Sequence, residues 1–347
     1  MNSITQNAYF KDIMAQPQAV RATIAELRQP HHLGPIIERM ARGELRRVIL
    51  TGMGSSYHAT YPLLLHLIAH DIAAQRIETA ELVHYAPKLI SPDTLLLVVS
   101  QSGRSAEILH LLELNRGRSP ILAVTNSPHS PLAQAADEVV LTQAGEEFSV
   151  SCKTYVTALA ALAWLGDVLS GQSPRKTLDK MEAAVPGMEE YLTAWPAHIS
   201  DLVQLLSDVR FLNIVGRGPS LAAVGTASLI IKESARFPTL GLSSAAFRHG
   251  PLEMLDERHF VLVYAGLPQT RALNLKLAED VRRLGGRVAL IDDRQASGGA
   301  FRLPAVADVA LPLLEILPAQ MVSLALAQLS GHEAGVFSRA SKVTLEE

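Results

Sequence analysis

The sequence predicts an α/β protein built from two similar units, each a doubly wound parallel sheet flanked by helices. Two observations carry this prediction. Short apolar runs alternate with longer segments of helical period along the chain, which is the pattern that strands and helices give in a parallel sheet. The same order of elements then starts again in the second half, so that one α/β unit is present twice.

The first unit is predicted from its alternating segments in order. Its strands are expected in "RRVILTGMG", "DTLLLVVS", "SPILAVTNS" and "DEVVLTQ", with a further strand within "RIETAELVHY". Helices are expected in "TYPLLLHLIAHDI" and in "AEILHLLELNRG", the second of which ends at a glycine.

The second unit repeats the segments of the first. "DVRFLNIVGRGPSLAAVGTASLIIKE" follows the order of "LRRVILTGMGSSYHATYPLLLHL", with Gly216 in the place of Gly52. "HFVLVYAG" likewise matches "TLLLVVSQ", and "GRVALIDD" matches "SPILAVTN". One large α/β domain with accidental similarity is the alternative, and three matched strands in the same order argue against it.

The domain boundaries follow from this repeat. The segment between the units is polar and helical in pattern, with Pro186 and Gly187 interrupting it. We expect an N-terminal helical segment at 1–34, the first unit at 35–170, a helical linker at 171–200, the second unit at 201–335 and a C-terminal tail at 336–347.

Composition narrows the classes of function. The 347 residues are enough for two domains, and the apolar share of 48% supports a large core. The formal net charge of −3 gives no electrostatic reason to expect nucleic acid. The single cysteine, Cys152, excludes a disulfide framework and a cysteine-based zinc cluster. The N-terminus lacks the apolar core of a signal peptide and no apolar stretch is long enough to span a bilayer, so we expect a cytoplasmic protein without membrane contact, metal or cofactor.

One short stretch, "VVSQSGRSAEIL", predicts an anion site. A buried strand ends in small polar residues just before a helix, where free N–H groups and the helix dipole favour a phosphate dianion. Gly103 lets the backbone come close to the ligand. The donors would be the hydroxyls and the amide of Ser100, Gln101, Ser102 and Ser105.

A serine-rich helix cap without any ligand is the alternative interpretation of this stretch. The equivalent loop of the second half, "YAGLPQ", contains no serine. Because a capping function would be needed in both copies, a ligand bound to the first copy is favoured. Ser55 and Ser56 follow the neighbouring strand, at the edge where ligands of doubly wound sheets bind.

At these residues the chain resembles a known family. "TGMGSSYHA", "VVSQSGRSAEI" and "KTYVTALAAL" resemble the sugar isomerase (SIS) family. From "FKDIMAQPQAV" to "SRASKVTLEE" the chain is similar to the two-SIS-domain isomerase part of glutamine:fructose-6-phosphate amidotransferase, and to the alternative-type glucosamine-6-phosphate deaminases and fructosamine-6-phosphate deglycases. The resemblance implies two tandem SIS domains. It also implies that Ser56, Ser100, Gln101, Ser102 and Ser105 hold a 6-phosphate and that Ser151 contacts the sugar.

The resemblance also assigns roles in the second half, where "KE" and "HGP" match the amidotransferase pattern. Without the resemblance, Glu233 would be interpreted as a helix-end carboxylate and His249 as a turn residue. By the resemblance, Glu233 moves a proton between C1 and C2 of the sugar, and His249 assists ring opening from a neighbouring subunit. A homodimer with a shared active site is therefore expected. By the resemblance, a tail lysine also reaches into the sugar site and takes part in catalysis; Lys342 matches it if one residue is deleted, and Ser341 does so without that gap, and we favour Lys342.

Three departures from the family pattern narrow the expected reaction. Thr226 and Ile230 replace a glutamate and a lysine, and Ala246 replaces a glutamate before the histidine. The glutaminase part is also missing, so amidotransferase synthesis is not expected. We expect an enzyme that moves a proton between C1 and C2 of an amino or amine-linked hexose 6-phosphate, as a deaminase or deglycase. A plain aldose–ketose isomerase and a non-catalytic phosphosugar-binding protein are the alternatives.

Overall fold

The computed structural model describes residues 4–294, 299–339 and 341–344. It divides into two compact units, and the chain passes between them several times. The first unit comprises Gln18–Glu147, Cys152–Glu182 and Ser338–Glu347, and the second comprises Met1–Pro17, Phe148–Ser151 and Ala183–Phe337. Neither unit is therefore one continuous stretch of chain.

The strands of the described residues form two separate sheets. In chain order they are β1 (Arg47–Gly52), β2 (Ala74–Arg76), β3 (Thr94–Val99), β4 (Ile121–Thr125), β5 (Glu138–Leu141), β6 (Phe211–Gly216), β7 (Thr239–Ser243), β8 (His259–Tyr264) and β9 (Arg287–Ile291).

The helices surround these strands in sequence. They are α1 (Ala8–Met14), α2 (Gln16–Leu27), α3 (Gly34–Ala41), α4 (Gly54–Ala59), α5 (Tyr61–Ala69), α6 (Thr79–Tyr85), α7 (Ala106–Asn115), α8 (Pro131–Ala135), α9 (Lys153–Leu169), α10 (Pro174–Thr193), α11 (Trp195–Leu206), α12 (Leu221–Ala235), α13 (Ser244–Phe247), α14 (Pro268–Arg283) and α15 (Leu311–Leu329).

The first unit is built on a five-stranded parallel sheet of order β2-β1-β3-β4-β5. All six residues of β3 are buried, because helices cover both faces of a parallel sheet and leave no face for polar side chains. One face packs Ile49, Leu96 and Val98 against Ile108 and Leu111 of α7. The predicted α/β fold with parallel strands is confirmed for this half.

The strand expected within "RIETAELVHY" is wrong for most of that segment. The strand β2 ends at Arg76, and the residues that follow form α6. Leu82 and Val83 are both buried in the core on the inner face of this helix, which accounts for the apolar signal. The edge strand itself is short and only half-buried, so it carries no apolar pattern of its own.

The second unit contains a four-stranded parallel sheet of order β7-β6-β8-β9. This is the order of β2-β1-β3-β4 in the first sheet, so the two sheets share a strand order, while the repeat of the whole unit stays a prediction. Its core packs Val215, Val261 and Val263 against Leu277 and Val281 of α14.

The helix α15 of the second unit is buried along most of its length, and it packs on α11 and α12. Within the described residues it is the one helix long and apolar enough to cross a membrane, with 89% of that stretch buried inside the protein. Such burial is what the core helix of a folded domain shows.

The linker differs from its prediction in one respect. Pro186 and Gly187 do not interrupt it, because α10 runs continuously through both. Two or more helical turns on either side hold the helix together across the N–H that proline lacks. At Gly187 a Cβ atom would lie 2.9 Å from Cβ of Pro304, so the glycine allows close packing at this point.

Candidate functional site

Two polar loops lie side by side at the carboxyl edge of the first sheet, because β1 and β3 are neighbours there. Gly52 ends β1 and is paired with Val99, the last residue of β3. A Cβ atom at position 52 would lie 2.6 Å from the carbonyl oxygen of Val99 and 3.3 Å from the backbone nitrogen of Tyr57. Glycine therefore lets α4 begin close to the point where β3 enters residues 100–105, which we call the serine loop.

The serine loop is a tight turn held by its own backbone. Ser100 is buried, and its Oγ accepts a hydrogen bond from the N–H of Gly103 at 3.1 Å, which leaves the hydroxyl proton to be donated. Gly103 has a φ of +61°, the left-handed conformation that glycine adopts at little cost. Gln101 and Ser102 are half-buried, and the carbonyl oxygen of Gln101 accepts from Ser127 Oγ at 3.1 Å. These bonds fix the loop before any ligand arrives.

Ser105 separates the ligand interpretation of the loop from the capping interpretation. It is the N-cap residue of α7, yet its side chain makes no capping hydrogen bond. Ser130 and Ser243 do cap α8 and α13, where their Oγ atoms accept from the N–H groups of Ala133 and Ala246. Because the fold uses serine caps elsewhere and leaves this one unmade, the Ser105 hydroxyl remains available to a ligand.

The helix α4 presents two more serines at the same edge. Ser55 is buried, and its Oγ has no hydrogen-bond partner among the described residues, whereas Ser56 is half-buried. The far end of α4 is held by Arg76, whose guanidinium donates to the Tyr57 carbonyl at 2.7 Å and lies 4.1 Å from the Tyr57 ring centroid. Burial lowers the pKa of Arg76 from its usual value. This arginine fixes the helix that carries both serines.

Two charged residues stand at the serine loop. Arg104 is exposed, and Glu107 lies in the first turn of α7 and is buried. The loop itself offers N–H and O–H donors to a bound anion and contains no lysine.

The C-terminal tail is anchored within the first unit. The Lys342 ammonium donates to Glu147 Oε2 at 3.1 Å and also to the backbone carbonyl of Glu147. Two residues later, the carbonyl oxygen of Thr344 accepts from the N–H of Ala106 at 3.0 Å. Since Ala106 is the first residue of α7 and directly follows Ser105, the tail lies beside the end of the serine loop.

Ser151, the predicted sugar contact, belongs to the second unit and is half-buried. It directly precedes Cys152, a buried residue at the N-cap position of α9. Cys152 is thus a structural residue at the start of a buried helix.

Glu233 lies in the last turn of α12 and is half-buried. It shares one face of that helix with Ile230 and Thr226, at spacings of three and seven residues. Both of those side chains are fully buried. The two residues that depart from the family pattern therefore give Glu233 apolar and neutral neighbours along its helix.

His249 lies in the turn that follows α13 and is exposed, as is Ala246. The turn is held by Arg248, whose guanidinium donates to Asp280 Oδ2 at 2.8 Å. Hydrogen bonding to Arg248 lowers the pKa of Asp280 to about 2, with Arg283 and Lys276 adding to the effect. The pair anchors the backbone beside His249 to α14.

The predicted site residues fall in both units. The first unit holds those of the sheet edge and the tail: Ser55, Ser56, Ser100, Gln101, Ser102, Ser105 and Lys342. The second unit holds Ser151, Glu233 and His249. Their roles in binding and catalysis stay predictions. Across the part of the chain that the structure describes, no group of three or more His, Cys, Asp or Glu side chains is placed to hold a metal ion.

Sequence reasoning missed Glu147 and Arg76. Nothing in "AGEEFSV" distinguishes Glu147, which is buried, from Glu146, which is exposed. The partner of Glu147 is 195 residues away in the sequence, so no local spacing could show the contact.

The first sheet matches the model of a known protein family. The family model of the SIS domain matches residues 44–166, which include β1, the serine loop and most of α9. That model matches one SIS domain, so the second one predicted over 201–335 is not matched by it.

Relatives align with this chain over most of its length. The glutamine–fructose-6-phosphate aminotransferase (isomerizing) of Pyrococcus horikoshii is 29% identical over 339 residues, which is 93% of this chain and 55% of that protein. The chain thus spans about half the length of the curated relatives it matches.

Solved structures share the fold. The tagatose-6-phosphate ketose/aldose isomerase of Escherichia coli has a TM-score of 0.79 at 21% identity, over 97% of each chain. The glucosamine-6-phosphate deaminase of Thermotoga maritima has a TM-score of 0.73 at 17% identity, over 98% of this chain and 100% of that one. The serine loop and the sheet edge around it lie within the residues that the SIS domain model matches.

Proposed function

We propose that this protein is a phosphosugar enzyme that moves a proton between C1 and C2 of an amino or amine-linked hexose 6-phosphate and so releases the amine. The observation that carries the proposal is the serine loop, where the Ser105 hydroxyl makes no capping bond and the Ser100 hydroxyl has a proton to donate. Serine and backbone donors at a strand-to-helix junction suit a phosphate dianion.

The second sheet is, in this proposal, a diverged second SIS domain. Its strand order repeats that of the first sheet. The loop after β8 has no serines, so the phosphate would bind to the first copy alone. We further propose a homodimer in which His249 of one subunit completes the site of the other.

The reaction follows from the chemistry of the proposed residues. His249 helps to open the sugar ring, and Glu233 removes a proton from the carbon beside the carbonyl or imine. Return of that proton one carbon away shifts the double bond, so that a carbon bearing nitrogen becomes an imine carbon. Water then adds to the imine and the amine leaves, so no oxidant or reductant is needed. With no nitrogen on C1 or C2, the same shift interconverts aldose and ketose.

Three kinds of relative support a shared proton-transfer step with different outcomes. They are named an isomerizing aminotransferase, a ketose/aldose isomerase and a glucosamine-6-phosphate deaminase. The missing charges at Thr226, Ile230 and Ala246 weigh against the synthetic reaction of the first. Compared with that synthesis, an amine-releasing reaction needs less additional machinery, since water is its only further reactant.

A substrate panel tests the proposal. Glucosamine 6-phosphate and fructosamine 6-phosphate are compared with fructose 6-phosphate and tagatose 6-phosphate, with ammonia, amine and sugar product measured. Wild-type protein should release amine, and Glu233→Gln should reduce turnover by about a thousandfold, since general acid–base catalysis contributes about 10²–10⁴. Glu257→Gln, an exposed turn residue of the same unit, is the matched control and should be fully active.

Each other outcome points to a different function. Turnover of the nitrogen-free sugars alone would assign a plain isomerase. Binding of hexose 6-phosphates without turnover of any would assign a phosphosugar-binding protein. Full activity of Glu233→Gln would refute the proposed base.

A further inference from the structure

The buried carboxylate of Glu147 contacts two segments of the first unit that are distant in sequence, the start of α9 and the tail. Its side chain has no exposed surface. Oε1 accepts from the N–H groups of Cys152 and Thr154, each at 3.0 Å. Oε2 accepts from Thr154 Oγ1 at 2.7 Å and from Lys342 Nζ at 3.1 Å.

Burial of this carboxylate is stabilised only while its donors are in place. A carboxylate removed from water loses its hydration, and charged or backbone donors on both oxygens must replace it. The start of α9 provides three of the donors and the tail provides the fourth. The carboxylate therefore connects the start of α9 to the tail.

The tail is held at its two ends by different contacts. Lys342 binds Glu147, and Thr344 binds the N–H of Ala106 at the start of α7. Ser341, the residue before Lys342, bonds within the tail, where its Oγ donates to the carbonyl oxygen of Val343. Among the described tail residues, the Glu147 contact is thus the one that fixes the lysine.

We propose that Glu147 is a positioning residue of the sugar site, which holds the Lys342 ammonium and the start of α9 in one arrangement beside the serine loop. The part of this inference that concerns turnover rests on the proposed function, because it takes Lys342 to act on the bound sugar. A helix cap for α9 alone is the competing role. In that case the lysine contact would be incidental.

The position of the tail tests the inference without any substrate. Backbone hydrogen exchange is measured in Glu147→Gln at Ala106, whose N–H donates to the carbonyl oxygen of Thr344 in the tail. We expect exchange there to be about tenfold faster than in wild type, as the loss of a charged hydrogen bond implies. Glu146→Gln, the exposed neighbour, is the control and should exchange like wild type. Faster exchange at the start of α9, together with wild-type exchange at Ala106, would overturn the inference.

A second variant keeps the test valid if Glu147→Gln does not fold. Lys342→Met breaks the same contact from the half-exposed tail and leaves the three α9 donors of Glu147 in place. It should also speed exchange at Ala106 about tenfold. Wild-type exchange at Ala106 in Lys342→Met would refute the anchoring role.

A double-mutant cycle then tests the action through Lys342. Glu147→Gln should lower kcat about tenfold in the wild-type background and by less than about twofold in the Lys342→Met background. Full additivity would refute a role through the lysine. Absence of turnover by the wild-type protein would instead refute the proposed function, and the exchange data alone would then decide the positioning role.

Discussion

The packing of Gly103 gives the sharpest quantitative test of the serine loop. At this residue φ is +61°, and a Cβ atom would lie 2.2 Å from Ser130 Oγ and 2.6 Å from Ser130 Cβ. Ser130 is fully buried and caps α8, so its Cβ cannot swing away. Gly103→Ala must therefore displace either the loop or the start of α8.

The cost of that substitution has two parts. A left-handed conformation costs a residue with a Cβ about 1–2 kcal/mol, and overpacking of a filled site adds about 1–3 kcal/mol. We expect Gly103→Ala to lose about 2–5 kcal/mol of unfolding free energy. Gly117→Ala is the matched control, since φ there is +76° and a Cβ would meet nothing within 4 Å. It should lose only the conformational part, about 1–2 kcal/mol.

Urea unfolding of the three proteins measures these free energies, and thermal shift with glucose 6-phosphate measures binding. Wild type and Gly117→Ala should be stabilised by the ligand, and Gly103→Ala should not. If Gly103→Ala were no less stable than Gly117→Ala and bound the sugar phosphate normally, the close contact with Ser130 would not shape the loop.

Three further predictions follow from other contacts. Ser105→Ala should leave the unfolding free energy within about 0.5 kcal/mol of wild type and should weaken glucose 6-phosphate binding about tenfold, as measured by titration calorimetry. Ser130→Ala removes a helix cap and should lower the unfolding free energy by about 1 kcal/mol. The Arg248 hydrogen bond lowers the pKa of Asp280 to about 2, so its contribution to stability is present above about pH 4 and is lost as the pH falls through 2; Asp280→Asn should flatten urea unfolding curves over that range. Burial raises the pKa of Glu315 to about 7, so the contribution of Glu315 to stability is full below about pH 4.5 and decreases by up to about 3 kcal/mol as the pH rises through 7. Glu315→Gln should remove this pH dependence of the unfolding free energy. An unchanged pH profile in that variant would contradict the assignment.

Much of the fold could be predicted because its signals are local. A parallel strand covered on both faces must be apolar throughout, so "TLLLVV" shows itself as β3 without reference to the rest of the chain. The short edge strand β2 has a half-exposed environment and no such run, and the apolar residues after it serve a helix. Period alone did not separate that helix from a strand.

The same distinction applies to the candidate site. The serine loop is a contiguous motif, and its chemistry can be derived from six neighbouring residues. Glu147 and Lys342 meet only through the tertiary fold, across 195 residues of sequence. A buried acid and an exposed acid stand next to each other at positions 147 and 146, and only the packing of α9 and the tail distinguishes them.

Titration calorimetry of glucose 6-phosphate into wild type and into the double variant Ser102→Ala/Ser105→Ala tests the serine loop most directly, with glucose as the ligand that lacks the phosphate. We predict that wild type binds the phosphate ester and not glucose, and that the double variant, folded as judged by its unfolding curve, binds at least about a hundredfold more weakly. Equal affinity of the two proteins for glucose 6-phosphate, or no binding by the wild type, would contradict a phosphosugar site at the serine loop.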